Sequence, residues 1–93
     1  MAESAVHLVI SGRVQGVGFR AWASHEARRR GLRGWVRNRH DGGVEALLIG
    51  DGPAVEAMIE ACWQGPSMAR VDDIARSSGA DDGSPGFAER HTV

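Results

Sequence analysis

The chain has 93 residues, enough for one small domain with a single hydrophobic core, and we expect residues 1–93 to form it. Its net charge is −1, and all eleven basic residues are arginine. This balance argues against nucleic acid as a partner bound by bulk charge, and the lack of lysine excludes a P-loop.

The compartment can also be predicted. No apolar run is long enough to cross a membrane, and the N-terminus has no basic segment of the kind that begins a signal peptide. The one cysteine, Cys62, excludes an internal disulfide framework and fits a reducing environment. We therefore expect a cytoplasmic protein without a membrane partner.

The first half of the chain predicts a strand, a glycine-rich loop, a helix and a hairpin. Residues 5–11 form an apolar run typical of a buried strand, and residues 19–30 carry an apolar stripe at helical spacing without a breaker. Gly31 and Leu32 then follow as in a Schellman-type cap. Two strand-like runs flank residues 41–43, Asp-Gly-Gly, which is a strong hairpin signal.

The second half predicts a helix and two weaker strands. Residues 51–66 have proline at the helix start, Gly-Pro at its end and one apolar stripe, made of Val55, Met58, Ile59 and Cys62. Residues 69–77 and 86–93 read as strands on either side of a polar loop. The order β-α-β-β-α-β predicts a ferredoxin-like α+β sandwich, with an antiparallel sheet and both helices on one face.

Two stretches carry candidate functional residues. Residues 12–20, Gly-Arg-Val-Gln-Gly-Val-Gly-Phe-Arg, join the first strand to the first helix. A helix start presents unpaired backbone N–H groups and a partial positive charge, so this junction favours an anion, and Arg20 adds a permanent charge. Asn38 ends the second strand on the same face as Val36, where a polar amide needs a partner.

Three interpretations of these residues compete. Residues 16–21 match a dinucleotide-binding fingerprint, but Asp41, which would contact the ribose, lies in a hairpin turn, and the chain is too short for two mononucleotide halves. An RNA-recognition module has the same element order, but the first and third strands lack aromatic residues for base stacking. In the third interpretation the glycines only form a tight turn, Arg20 is solvated and Asn38 is a turn residue.

Residues 12–20, residues 34–38 (Gly-Trp-Val-Arg-Asn) and residues 41–46 (Asp-Gly-Gly-Val-Glu-Ala) together resemble the acylphosphatase family. The resemblance covers nearly the whole chain and implies a stand-alone hydrolase that converts acyl phosphates to a carboxylate and inorganic phosphate. It implies catalytic roles for Arg20, which would bind phosphate, and Asn38, which would position the attacking water. The implied phosphate-binding residues are Gln15, Gly16, Val17, Gly18, Phe19 and Arg20.

The resemblance implies a small-molecule acyl phosphate as the partner, with no cofactor, and we expect a monomer. The four histidines show no ligand spacing, so we expect no metal. An alternative is a phosphate- or carbamoyl-phosphate-binding regulatory or partner domain without catalysis, of the kind fused to larger carbamoyl-transfer maturation proteins. A further alternative is a regulatory ferredoxin-like module with a degenerate site, which the intact Arg20 and Asn38 disfavour.

Several other side chains are predicted to be structural. Glu89 stands where the family often has an apolar residue, which predicts a poorly packed last strand. Cys62 is expected in the core, and residues 28–30, three arginines, at a solvated helix end. Among the tryptophans, which we expect to be packing anchors, Trp35 is predicted to be the most exposed.

Overall fold

A computed structural model describes residues 3–92. The elements in chain order are β1 (Glu3–Arg13), α1 (Phe19–Arg29), β2 (Arg33–Asn38), β3 (Val44–Asp51), α2 (Gly52–Gln64), β4 (Arg70–Ser78) and β5 (Phe87–Arg90). The predicted helices, hairpin and strands all form, but the last strand, predicted over residues 86–93, is shorter than predicted, since residues 86, 91 and 92 are not part of it. Met1, Ala2 and Val93, which belong to the predicted domain, lie outside the described residues, and so does the end of the predicted last strand.

The strands form one sheet in the order β4-β1-β3-β2-β5. The pairs among the first four strands are antiparallel, and the predicted ferredoxin-like fold is confirmed. β5 departs from the prediction of an antiparallel sheet because it pairs parallel with β2. The loop of residues 79–86 causes this, since it carries the chain from the β4 edge to the β2 edge and reverses its direction.

The main core lies between the sheet and the two helices. Its largest members come from both layers and include Leu8, Ile10, Phe19, Val36, Leu48, Val55, Met58, Ile59, Cys62 and Phe87. The predicted stripe of α2 is buried throughout. Cys62 is a core side chain, as predicted, and its burial raises the pKa of the thiol to about 12.

The opposite face of the sheet carries a smaller apolar cluster, which consists of Trp35, Leu47 and Ile49. The prediction that Trp35 is the most exposed tryptophan is wrong, since its exposed fraction is 7% against 43% for Trp63. The indole N–H donates to Asp82 at 3.2 Å, and the Arg37 guanidinium lies 4.5 Å from the ring centre. Asp82 belongs to the loop of residues 79–86, whose path over this face cannot be read from strand alternation.

The end of α1 directs the chain into β2. The helix ends at Arg29, and the Leu32 amide donates to the Ala27 carbonyl at 2.9 Å while the Gly31 amide donates to the Arg28 carbonyl at 3.0 Å. These are the two hydrogen bonds of the predicted Schellman motif. β2 then begins at Arg33, directly after this cap.

Candidate active site

The loop between β1 and α1 forms a concavity at the start of the helix. Gly16 and Gly18 have φ angles of 73° and 81°, whereas Val17 between them does not have a positive φ. Alternating signs of φ turn successive N–H groups toward one side, as in anion-binding nests. A Cβ at either glycine would meet nothing within 4 Å, so the glycines are needed for backbone conformation and not for close packing.

The first turn of α1 has no compensating negative charge. Gly18 occupies the N-cap position, no side chain caps the helix, and its first turn contains no acidic residue. The Trp22 amide donates to the Gly18 carbonyl at 3.0 Å, so the amides that precede Trp22 in the helix have no acceptor within it. This end of the helix therefore favours an anion.

Arg20 is an unpaired charge within this turn. Among residues 3–92, Arg13 and Arg20 are the two arginines whose side chains make no hydrogen bond or ion pair to another residue. Arg13 is exposed, whereas Arg20 is half-buried. A half-buried guanidinium at the positive end of a helix is accounted for if an anionic ligand binds there.

Asn38, at the end of β2, faces the same concavity. A cavity of about 180 Å³ is lined by Val14, Gly16, Gly18, Phe19, Arg20, Ala21, Asn38 and Glu89. The side-chain hydrogen bonds around the end of β2 involve Gln15, Arg37 and Arg39 and leave the Asn38 amide available to the cavity. The tertiary structure thus brings Arg20 and Asn38 together around one cavity. Gln15 and Val17 belong to the same loop without lining it.

Gly34, the first residue of the motif at residues 34–38, is required by the packing of β2 against β3. At Gly34, φ is 127°, and a Cβ there would lie 1.9 Å from the Leu47 carbonyl oxygen on β3. Val36 is fully buried beneath the helices, and Asn38 follows it on the same face. Gly34 therefore allows β2 to lie close to β3, and this pairing sets the position of Asn38.

The acylphosphatase family model matches residues 6–88. The chain belongs to the acylphosphatase family. An acylphosphatase from Acidiphilium cryptum is 54% identical over 88 residues, which cover 95% of this chain and 97% of that one. The crystal structure of acylphosphatase from Bacillus subtilis matches with a TM-score of 0.89 at 39% identity, over 92% of this chain and 97% of that chain.

A third match is to part of a larger protein. HypF from T. kodakarensis matches with a TM-score of 0.84 at 31% identity, over 99% of this chain but 12% of HypF. Together with the family model, these matches confirm the predicted family, fold and hydrolase class.

In this member of the acylphosphatase family, the Gln15 side chain has a role that the sequence did not predict. Its Nε2 donates to the carbonyl oxygens of Arg39 and Gly43, each at 2.7 Å. These carbonyls lie at the turn of the β2–β3 hairpin, where Arg39 follows Asn38 and Gly43 precedes Val44. Gln15 therefore ties the glycine loop to the strand end that carries Asn38, and only the three-dimensional contact reveals this.

β5 forms one wall of the acylphosphatase-like cavity. Phe87 is buried in the core, and Arg28 on α1 donates to its carbonyl oxygen from Nε at 3.1 Å and from Nη2 at 2.9 Å. The prediction of a poorly packed last strand is confirmed in part, because Phe87 is buried whereas Ala88, Glu89 and Arg90 are exposed, with Glu89 at the cavity.

A larger concavity of about 430 Å³ lies on the other face of the sheet, and its arginines are paired within the protein. Arg37 donates to the buried Glu45 carboxylate at 2.9 Å, and His7 Nε2 lies 2.5 Å from the same carboxylate. Burial alone would raise the pKa of Glu45, but the hydrogen bonds from Arg37 and His7 lower it below its usual value. This cluster therefore stabilises the sheet and has no unpaired guanidinium comparable to that of Arg20.

Within residues 3–92, no three His, Cys, Asp or Glu side chains are grouped as a metal site would require. No described helix has the length and apolar character that crossing a membrane requires.

Proposed function

We propose that this chain hydrolyses acyl phosphates to a carboxylate and inorganic phosphate in the cavity at the start of α1. The proposal rests on one observation, the convergence of an uncapped helix start, the unpaired Arg20 and the available Asn38 amide. Family membership supports the reaction. The roles of the individual residues follow from their chemistry.

The phosphoryl group is held by the glycine loop and Arg20. The backbone amides of residues 15–19 donate to its oxygens, and the planar guanidinium of Arg20 donates to two of them at once. Phosphoryl transfer passes through a loose transition state with negative charge spread over the equatorial oxygens. Donors fixed in advance around those oxygens therefore supply most of the rate acceleration.

The attacking water is held by Asn38. An amide takes no proton near neutral pH, so Asn38 orients the water by accepting a hydrogen bond from it. The water oxygen forms a bond to phosphorus as the bond from phosphorus to the acyl oxygen breaks. The carboxylate leaves with the electron pair of that bond, and a phosphate oxygen takes the proton from the water.

The reaction as written needs neither a metal ion nor a cofactor, because the carboxylate is a good leaving group and Arg20 supplies the positive charge. We also propose that a single chain suffices, since every residue of the proposed site comes from one copy. The monomeric state and the cytoplasmic location stay predictions, as does a single domain over residues 1–93. Sedimentation of the purified protein tests the first of these.

The alternative is a domain that binds phosphate or carbamoyl phosphate without catalysis. The match to a small part of HypF favours it, since the same fold there belongs to a much longer chain. Turnover distinguishes the two functions, because a binding domain retains phosphate affinity and releases no carboxylate.

The test is hydrolysis of benzoyl phosphate by the purified protein, with and without EDTA, together with phosphate binding by calorimetry. We expect turnover that EDTA leaves unchanged. Arg20→Gln loses phosphate affinity and on the order of 10³-fold or more in rate, and Arg20→Lys recovers little because a point charge lacks the planar fork.

Arg13→Gln is the matched control, because it removes the charge of the other unpaired arginine at an exposed position. Phosphate binding without any turnover by the wild type would favour the alternative function. Unchanged phosphate affinity in Arg20→Gln would place Arg20 outside the site.

A further inference from the structure

Glu89 is an unpaired carboxylate that lines the proposed active site. Within residues 3–92, Glu60 and Glu89 are the two glutamates without an ion-pair partner; both are exposed, Glu60 on α2 and Glu89 at the mouth of this cavity. Glu89 shares its cavity with Arg20, yet the two side chains do not come within 4.0 Å as an ion pair. The cavity therefore carries one unpaired positive charge and one unpaired negative charge, separated from each other.

The position of Glu89 is determined by the fold. β5 pairs in register with β2, so that Glu89 lies opposite Val36 on the face that points toward the helices. Phe87, two residues earlier, is buried on that face, and Arg28 holds its carbonyl oxygen from α1. The carboxylate is thus attached to a strand that is anchored at both the core and the helix.

A carboxylate here is unfavourable for phosphate alone, because like charges in one cavity repel. The phosphoryl group is attracted to the loop amides and Arg20, and it is repelled from the β5 wall. Glu89 is the one acidic side chain among the described residues that line the cavity, so it is the carboxylate that an acyl group bound there can contact. A neutral acyl group would leave that carboxylate unpaired, whereas a cationic one would compensate it.

We propose that Glu89 selects acyl phosphates whose acyl group carries a positive charge close to the anhydride, such as an aminoacyl phosphate. This inference rests on the proposed function of the same cavity and names its substrate class. The substrate is zwitterionic, with its phosphoryl end at Arg20 and its cationic end at Glu89.

The test uses two substrates of the same shape, trimethylammonioacetyl phosphate and 3,3-dimethylbutanoyl phosphate, which differ by a charged nitrogen in place of a carbon. Neither has a nucleophilic amine, so neither cyclises. The measured quantity is the ratio of kcat/KM for the cationic substrate to kcat/KM for the neutral one. Comparing this ratio between variants cancels the different intrinsic reactivity of the two anhydrides.

We expect Glu89→Gln to lower this ratio by about 3- to 10-fold, the effect of one charge pair in a partly exposed site. The loss of repulsion should at the same time strengthen inhibition by inorganic phosphate. The matched control is Glu60→Gln, which removes the same charge from α2 and should leave the ratio unchanged. Inhibition by 2-(trimethylammonio)ethylphosphonate and by 3,3-dimethylbutylphosphonate gives the same comparison without catalysis.

The outcomes separate this inference from the proposed function. An unchanged ratio in Glu89→Gln, with both substrates still hydrolysed, overturns the inference and leaves acyl phosphate hydrolysis intact. An equal loss of kcat/KM for both substrates in Glu89→Gln also overturns the inference if the variant no longer shows the wild-type decrease in activity at acid pH. Glu89 would then act on the attacking water. Failure of the wild type to hydrolyse either substrate overturns the proposed function itself.

Discussion

Arg20 lies at the positive end of α1, where its charge opposes the helix dipole and no carboxylate of the described protein compensates it. Such a placement costs folding stability unless an anion is bound. The three arginines at the other end of the helix, residues 28–30, have the favourable arrangement. The same residue type therefore stabilises one end of α1 and, in our proposal, serves ligand binding at the other.

Replacing Arg20 should accordingly separate stability from activity. We expect Arg20→Gln to increase the free energy of unfolding by about 0.3–1 kcal/mol in phosphate-free buffer, because the unfavourable charge is removed. Urea unfolding monitored by tryptophan fluorescence measures this, with Arg13→Gln as the control. A clear loss of stability in Arg20→Gln would mean that the guanidinium supports the fold.

Asn38 should affect turnover more than binding. The proposed contact is made with water in the transition state, so Asn38→Ala should lose most of its benzoyl phosphate turnover and still bind phosphate as a competitive inhibitor. Any destabilisation should stay within about 1–3 kcal/mol, the usual cost of a lost hydrogen-bonding group. Near-normal turnover in Asn38→Ala would mean that Asn38 is a structural residue. A parallel loss of phosphate affinity would mean that Asn38 binds the phosphoryl group together with the glycine loop and Arg20.

Gln15 should act through alignment of the loop with Asn38. Gln15→Leu removes both donors to the hairpin carbonyls, and we expect kcat to fall about 10-fold, since small misplacements of reacting groups are costly. The phosphate affinity should change less, because the backbone amides remain. When Asn38 is already alanine, Gln15→Leu should lower kcat little further. Equal losses in both backgrounds would show that Gln15 acts independently of Asn38.

At the scale of elements, the cavity is built by three segments that are distant in sequence. The β1–α1 loop contributes Gly16 and Gly18, β2 ends in Asn38, and β5 contributes Glu89. β5 has four residues and a single neighbouring strand, β2. The two hydrogen bonds from Arg28 on α1 to the Phe87 carbonyl therefore add a second attachment of β5, besides its pairing with β2.

The attachment of β5 can be tested by amide hydrogen exchange. Arg28→Met keeps the apolar stem but removes both hydrogen bonds, and we expect faster exchange along β5 and a loss of about 1 kcal/mol of stability. Arg29→Met is the control, because among the described residues Arg29 is paired with Glu26 alone, at the helix surface. If both variants exchange alike along β5, the Arg28 contact does not hold the strand.

At the scale of the whole molecule, the two faces of the sheet differ in whether their charged side chains are paired. The helix-covered face ends at the proposed site, whereas the opposite face carries Glu45 with partners on two neighbouring strands, His7 on β1 and Arg37 on β2. Glu45 is 8% exposed, so its charge depends on these partners. The three central strands are thus joined by this side-chain cluster as well as by backbone hydrogen bonds.

This cluster makes stability depend on pH. The pKa of Glu45 is lower in the folded chain than its usual 4.5, so its contribution is present above that pH and is lost as pH falls through the folded pKa. We expect Glu45→Gln to be less stable at neutral pH by about 1–3 kcal/mol and to lose less stability than the wild type between about pH 6 and about pH 3. Urea unfolding at several pH values measures both. Parallel pH profiles would show that Glu45 contributes nothing specific to acid unfolding.

Most of the local structure could be predicted from the sequence. The apolar periodicity of residues 5–11 and 51–66, the hairpin signal at 41–43 and the cap after α1 involve residues that are neighbours along the chain. Their physical causes are local as well, because backbone angles and the spacing of side chains on a helix or strand determine them. The family resemblance added the expected roles of Arg20 and Asn38.

The tertiary structure decided the features that depend on register between distant segments. These are the parallel pairing of β5, the burial of Trp35, the contact of Gln15 with the hairpin, and the exposure of Glu89 to the cavity. All but the Gln15 contact depend on where the loop of residues 79–86 crosses the sheet and which strand receives it. A short polar sequence does not determine that path, because the free energy that selects it comes from packing against the already formed sheet.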